Sequence, residues 1–278
     1  MSVSVAIVAP GNMGSAVGRR LIANGVSVLT ALEGRSTASA ARAAAAGFII
    51  VPSDQLVEAD FLLSILPPAA ALSFAESMRG LLANASRKPV FVDCNAVNPQ
   101  TVQQIAAVIA STGTLFVDVG IIGLPPVGDQ PGPRFYASGD HARKLEVLAR
   151  HGVEIRVLEG PIGAASALKM TYAGINKGVT AIGAAMILAA TRAGATDALR
   201  QELAESQPAL LASLTRAVPD MLPKSYRWVA EMQEIAAFAG EDEATRDLFL
   251  AISQLYERLS HESRDGGAEA DALLKFFA

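Results

Sequence analysis

The chain has a single cysteine, Cys94, and three widely separated histidines, His141, His151 and His261, among its 278 residues. One thiol excludes an internal disulfide, and no Cys/His spacing offers a zinc site, so no metal is expected. Basic residues are too few and too scattered to form a phosphate-binding face. The net charge is −4 and the pI is near 5.5, which argues against nucleic acid as a partner. No Lys/Arg run marks a membrane-surface patch. The longest apolar run, Val179–Ala190, is bounded by Lys177 and Arg192 and falls short of the roughly 20 residues of a membrane span. The first basic residue is Arg19, so the opening MSVSVAIV predicts a first strand and not a signal peptide, and a cytoplasmic location is expected.

Hydrophobic residues, by contrast, are plentiful at 51% against 18% charged, enough for two cores and a buried subunit interface. The pattern divides near residue 160. Before it, short apolar runs alternate with alanine-rich helical stretches: Val3–Val8, Val26–Leu32, Phe48–Val51, Phe61–Ile65, Val90–Asp93, Leu115–Val119, Phe135–Ser138 and Ile155–Val157. That alternation predicts a doubly wound, mostly parallel Rossmann sheet over residues 1–160, with a Pro/Gly loop at 125–133. After it the strand signal stops. Helices are predicted over Ala164–Ala193, Asp197–Ala217, Tyr226–Ala239 and Glu243–Ser260, with Pro219 and Pro223 as interruptions, making residues 161–278 an all-α domain.

Ala9-Pro10-Gly11-Asn12-Met13-Gly14 follows the first strand and opens a helix, a variant of the dinucleotide fingerprint with Ala9 in place of the first glycine. Gly11 lets backbone approach a pyrophosphate, Gly14 lets the helix pack closely, and the helix N-terminus offers free N–H groups. At the end of the second strand, Arg35, Ser36 and Thr37 suit a 2′-phosphate, whereas Glu33 suits the ribose hydroxyls of NAD. The reading favours NADP, with NAD as the alternative. Leu66 and Pro67, closing the fourth strand, are expected along the cofactor. Gly160-Pro161-Ile162-Gly163-Ala164-Ala165-Ser166-Ala167-Leu168-Lys169 places small residues at a helix start and one lysine in an apolar turn. Burial disfavours that charge and makes Lys169 a candidate for proton transfer.

These motifs together resemble the β-hydroxyacid dehydrogenase family, which includes the 6-phosphogluconate and 3-hydroxyisobutyrate dehydrogenases, in an uncharacterised branch with a divergent C-terminal domain. Gly160–Lys169 is similar to its G-x-x-G-x-G-x-x-x-K segment with Ala165 for one glycine. Residues 92–99 (VDCNAVNP) resemble its D-x-S-x-x-x-P segment, and 118–123 (DVGIIG) its D-A-P-V-S-G segment. The resemblance implies hydride exchange between a nicotinamide and a carbonyl or carbinol carbon, with Lys169 as general acid/base. It implies substrate contacts at Asn95, Ile122 and Gly123, with Tyr172 and Asn176 as further candidates. It also implies a homodimer through the helical domain and an active site between the domains, with Trp228 lining the pocket alongside Arg227 and Glu231. Two departures point to a different substrate grip: Ala173 stands where the family has asparagine, and Ile122 where it has serine. Imine reductases share the architecture but commonly carry another residue at the lysine position. Pyrroline-5-carboxylate reductases share the G-N-M-G-S-A start but not the helix opening. A silent NADP-binding sensor is the alternative outside enzymes.

Overall fold

The computed structural model describes residues 3–128 and 130–278; the parts of the first-strand and loop expectations that fall on Met1, Ser2 and Asp129 lie outside the described residues. The chain forms two compact units, one up to Lys169 and the other Met170–Ala278. The sequence pattern changes nine residues earlier, because the last strand ends before the long helix begins.

In the first unit β1 (Ser4–Val8), α1 (Asn12–Ala23), β2 (Ser27–Thr30), α2 (Thr37–Ala46), β3 (Ile49–Ile50) and β4 (Phe61–Ser64) alternate. They are followed by α3 (Ala71–Asn84), β5 (Val90–Asp93), α4 (Pro99–Ala110), β6 (Phe116–Ile122), β7 (Arg134–Ser138) and β8 (Glu154–Val157). The sheet order is β3-β2-β1-β4-β5-β6-β7-β8. Every neighbouring pair is parallel except β6 with β7. Strand order reverses between β1 and β4, so the loops after Val8 and Ser64 flank the crevice where open α/β sheets take ligands.

Both faces are covered, as the apolar strands require. Val5, Ile7, Leu63, Val92, Val117 and Val119 pack with Val17 and Leu21 of α1 on one face. Ala6, Val8, Leu62, Phe91 and Phe116 pack on the other with Met78 and Leu82 of α3 and Ile105 and Ile109 of α4. Alternation along each strand divides the two sets. It also puts Ser64, Asp93, Asp118 and Gly120 on the second face, at the carboxyl end of the sheet.

The other elements are α5 (Ala164–Arg192), α6 (Thr196–Ser206), α7 (Pro208–Met221), α8 (Ser225–Ala239), α9 (Glu243–Asp265) and α10 (Ala268–Phe277). The single helix predicted over 197–217 is two, broken at Gln207 because Pro208 starts a new first turn. Pro219, expected to interrupt, lies inside the last turn of α7, and the chain continues helically to Met221. α5 has 29 residues and a mean hydropathy of 1.4 over its most apolar 18, so by length and composition it could cross a membrane. Its glycines seat it against its own unit. A Cβ at Gly174 would press on Phe249 and one at Gly183 on Leu214.

Gly120 brings α5 onto the sheet. A Cβ there would lie 2.5 Å from the Ala165 carbonyl oxygen and 3.2 Å from Cβ of Lys169. Gly120→Ala is expected to cost about 1–3 kcal/mol of stability, as overpacking does, and to lower the urea midpoint followed by far-UV circular dichroism. An unchanged midpoint would mean that the first turn of α5 is not closely seated on β6.

Candidate active site

A row of polar residues crosses the carboxyl end of the sheet. Strand register pairs Ser64 with Asp93, Asp93 with Asp118 and Asp118 with Ser138, and all four are fully buried. Buried polar groups need partners, and here the partners come from the first turn of α5. The Asp118 carboxylate accepts from the backbone N–H groups of Gly163 at 2.9 Å, Ala165 at 3.1 Å and Ser166 at 3.1 Å, all on Oδ2. Ser138 donates to the same oxygen at 3.0 Å and Ser166 Oγ to Oδ1 at 2.7 Å. The amide of Ala164 bonds Pro161 O, so the opening amides of the helix are satisfied. A helix is normally capped by a residue just before it; this one is capped from a strand 45 residues or more away.

Lys169 follows one turn later, half-buried, with its Cβ above Gly120. Burial pulls its ammonium below the ordinary range, while Cys94, Asp93 and Asp118 act to raise it. Asp93 moves the other way, pushed up to about 7 by burial and by Asp118, against the lowering effects of Asn95 and Lys169. Burial pushes the Cys94 thiol up, which makes it a poor nucleophile.

Asn95 is 1% exposed and its carboxamide is used internally. Oδ1 accepts from Leu66 N at 2.6 Å, and Nδ2 donates to Ser64 Oγ at 2.9 Å and to Asp93 Oδ1. It ties the loop after β4 to the polar row, with both N–H groups of its amide engaged within the chain. Ile122 ends β6, and Gly123 has φ 126° with Pro133 packed against it, where a Cβ would be 3.0 Å from Pro133 Cα; glycine at 123 serves the turn. Tyr172 and Asn176 are exposed on α5, with Asn176 Nδ2 bonded back to Tyr172 O. Trp228 lies in the helical unit, edge-on to Tyr256 at 5.2 Å with the Lys177 ammonium 4.9 Å from its ring centre. Lys177 also pairs with Glu231.

At the switch point, Ala9 takes the left-handed conformation, φ 59°, that a first glycine would adopt without the roughly 1 kcal/mol of strain. Gly14 allows close packing, since a Cβ would be 3.1 Å from Ala9 O. α1 has Gly11 as N-cap and no side-chain cap, so the amides at Asn12, Met13 and Gly14 stay available to an anion. Pro10 is buried, Leu66 is 8% exposed and Pro67 is exposed beside them. At the end of β2, Ser36 caps α2, accepting from Ser39 N, Thr37 is exposed in its first turn, and Arg35 is exposed. The Glu33 carboxylate bonds Ser53 N at 3.2 Å and Ser53 Oγ at 2.9 Å, which with its own backbone amide holds it below the usual range.

The sequence reading passed over four residues. Arg42 of α2 reaches back to Pro10 O at 2.8 Å and to Ser39 Oγ at 3.1 Å, holding a guanidinium against the phosphate loop. Asp93, Asp118 and Ser138 meet only through strand register. Asp93 and Asp118 lie at the start of the two motif-like segments at 92–99 and 118–123, but nothing in those segments assigned either carboxyl a role. Asp118→Ala is expected to cost about 3 kcal/mol, because several buried donors lose their acceptor. Hydrogen exchange checks it: the Ala165 and Ser166 amides should lose protection, and retained protection would show that Asp118 does not hold the helix.

Residues 4–149 match the model of the NAD binding domain of 6-phosphogluconate dehydrogenase, and residues 190–259 match a domain of unknown function, DUF1932. An uncharacterised 28.5 kDa protein of Methanothermus fervidus is 30% identical over 216 residues, 77% of this chain and 82% of that one. The solved structure of the conserved protein MTH1747, of unknown function and described as similar to 3-hydroxyacid dehydrogenases, is 26% identical. Its TM-score is 0.76, with 96% of this chain and all of that one covered. The 3-hydroxyisobutyrate dehydrogenase of Mycobacterium tuberculosis, solved with L-serine, is 19% identical with a TM-score of 0.76 over the whole of both chains, a likeness of fold. With an NAD-binding domain matched over more than half its length, the chain belongs to the 6-phosphogluconate dehydrogenase-like family, in a branch that carries a DUF1932 C-terminal domain.

Proposed function

We propose that this protein is an NADP-preferring oxidoreductase that acts on a carbinol or carbonyl carbon of a small molecule, with Lys169 as general acid/base. The observation that carries the reading is Lys169 itself, a half-buried lysine with a lowered proton affinity at the carboxyl end of a dinucleotide-binding sheet. The phosphate loop fits the cofactor: the amides of Asn12, Met13 and Gly14 would hold the pyrophosphate at an uncapped helix start. A bound nicotinamide supplies or accepts the hydride. Lys169 gives its proton to the carbonyl oxygen in reduction and takes it from the hydroxyl in oxidation. Asp118 keeps the lysine's helix in place.

Three features support NADP over NAD. The Glu33 carboxylate is engaged by Ser53, Arg35 is exposed beside Ser36 and Thr37, and Arg42 holds a second guanidinium against the loop. Guanidinium groups suit the 2′-phosphate. On the substrate side, Ile122 in place of a hydroxyl residue and the internal use of Asn95 favour a substrate less anionic than a simple 3-hydroxy acid.

The test is isothermal titration with NADPH and NADH, followed by turnover on a panel of carbonyls and alcohols. NADPH should bind the more tightly, and Arg35→Ala and Arg42→Ala should each weaken it about tenfold or more while leaving NADH little changed. Lys169→Met should keep cofactor affinity and lose at least about a hundredfold in turnover. Full turnover in that variant would remove Lys169 from the chemistry, and binding of neither nucleotide would end the oxidoreductase reading.

The proposal includes a homodimer through the helical unit. α5 exposes Ile175, Val179, Ile182 and Met186 in one stripe, beside an apolar cleft lined by Ile235, Phe249 and Ile252. An uncovered stripe of this size is characteristic of an interface. Sedimentation velocity should give a dimer for the native chain and a monomer for Ile182→Glu; a native monomer would overturn this part.

A further inference from the structure

We infer that Asp93 is the positioning partner of Lys169, and that the carboxyl and the amine act as a coupled pair that keeps the lysine loaded with a proton near neutral pH. This rests on Lys169 being the acid/base of the proposed reaction, but its test does not need that reaction.

The argument begins with register. Asp93 is paired across the sheet with Asp118, and side chains of paired residues share a face. Gly120, two residues past Asp118, is on that face too, and Cβ of Lys169 sits directly above it. The fold therefore places the Asp93 carboxyl on the strand next to the one over which the Lys169 side chain begins, on the same face of the sheet. Asp93 is fully buried, and its two oxygens differ. Oδ1 accepts from Asn95 Nδ2, which is itself fixed by Ser64 and Leu66. Oδ2 is buried with no hydrogen-bond partner among the described residues. An unpartnered carboxyl oxygen in an apolar interior is costly. Where buried polar groups are otherwise matched so fully, such an exception marks a site with a task.

The groups around Asp93 define that task. β4 contributes Ser64 and the loop after β5 contributes Asn95, neither of which titrates. The same loop contributes Cys94, β6 contributes Asp118 and α5 contributes Lys169. The Asp118 carboxylate is occupied by five donors from α5, Gly163 and Ser138. Among the described residues Lys169 is the cation that acts on Asp93, and Asp93 the neighbouring carboxyl with an oxygen to spare. Each favours the charged form of the other: the anion makes the ammonium harder to deprotonate, and the ammonium makes the carboxyl easier to ionise. Burial acts to lower the proton affinity of Lys169. Asp93 counters this, so that the lysine is an acid when a carbonyl must be reduced and can take the proton back when an alcohol is oxidised.

The experiment is competitive acetylation of Lys169 by acetic anhydride, read by mass spectrometry from about pH 6 to about pH 11 on the full chain. In Asp93→Asn the half-titration point should fall by at least about one pH unit, a tenfold loss of proton affinity. The reciprocal arm uses Lys169→Met and the carbon-13 shift of the Asp93 carboxyl, whose titration should move up; this arm keeps native Asp93 and reads the coupling if Asp93→Asn folds poorly. Unmoved titration points would overturn the inference, even with a lowered melting temperature, since a purely structural Asp93 changes stability and not the proton affinity of Lys169. If neither nucleotide binds but the titrations move together, the oxidoreductase reading fails and the pair stands.

Discussion

The site depends on one constraint: a row of buried polar side chains at the carboxyl end of the sheet must be matched by something, and the start of α5 matches it. Ser64, Asp93, Asp118 and Ser138 are fully buried on adjacent strands. Left alone they would cost several kcal/mol each. The opening amides of a helix are equally in need of acceptors. Joining the two deficits solves both, and it fixes the position of the first turn of α5 to within hydrogen-bond tolerances. Lys169 inherits that precision. A lysine on a flexible stem is a poor general acid unless its anchor is rigid, and this anchor is held by four bonds to one carboxylate together with a glycine contact at Gly120.

Much of this fold could be read from the chain. Apolar runs separated by helical stretches identified the sheet, and the change of period after residue 160 identified the helical unit. The phosphate loop was legible because strand, glycines and helix start stand next to one another in sequence. The placement of Lys169 at the start of a long helix was legible because small apolar residues precede it. The break between α6 and α7 was missed because a proline at a first helical position ends one helix and starts another without an obvious gap in hydrophobicity.

What was not legible has a common cause: it arises from register. Nothing in the segments around Asp93 and Asp118 tells which of their residues stand opposite each other. A shift of one residue would turn both carboxyl groups to the other face. Asn95 shows the same limit from the other side. Its resemblance to a family position suggested a hand held out to substrate, but once β4 and β5 are paired its carboxamide is drawn to Leu66, Ser64 and Asp93. Arg42 was missed for a related reason. It lies five residues beyond the segment that normally decides between the cofactors, and only the packing of α2 against the phosphate loop brings it back to Pro10.

Burial and charge act on Lys169 in opposite directions, and the site uses the opposition. Desolvation lowers the proton affinity of an amine by as much as a few pH units at a fully buried site. Desolvation thus weakens the hold of Lys169 on its proton. Neighbouring carboxylates alone would raise its affinity and make it too weak an acid to protonate a substrate oxygen. A usable acid/base lies between these limits. The sheet sets the balance geometrically, since Asp118 is fully engaged with the helix start while Asp93 keeps one oxygen unpartnered. The residue that holds the helix and the residue proposed to tune the lysine are therefore neighbours in register.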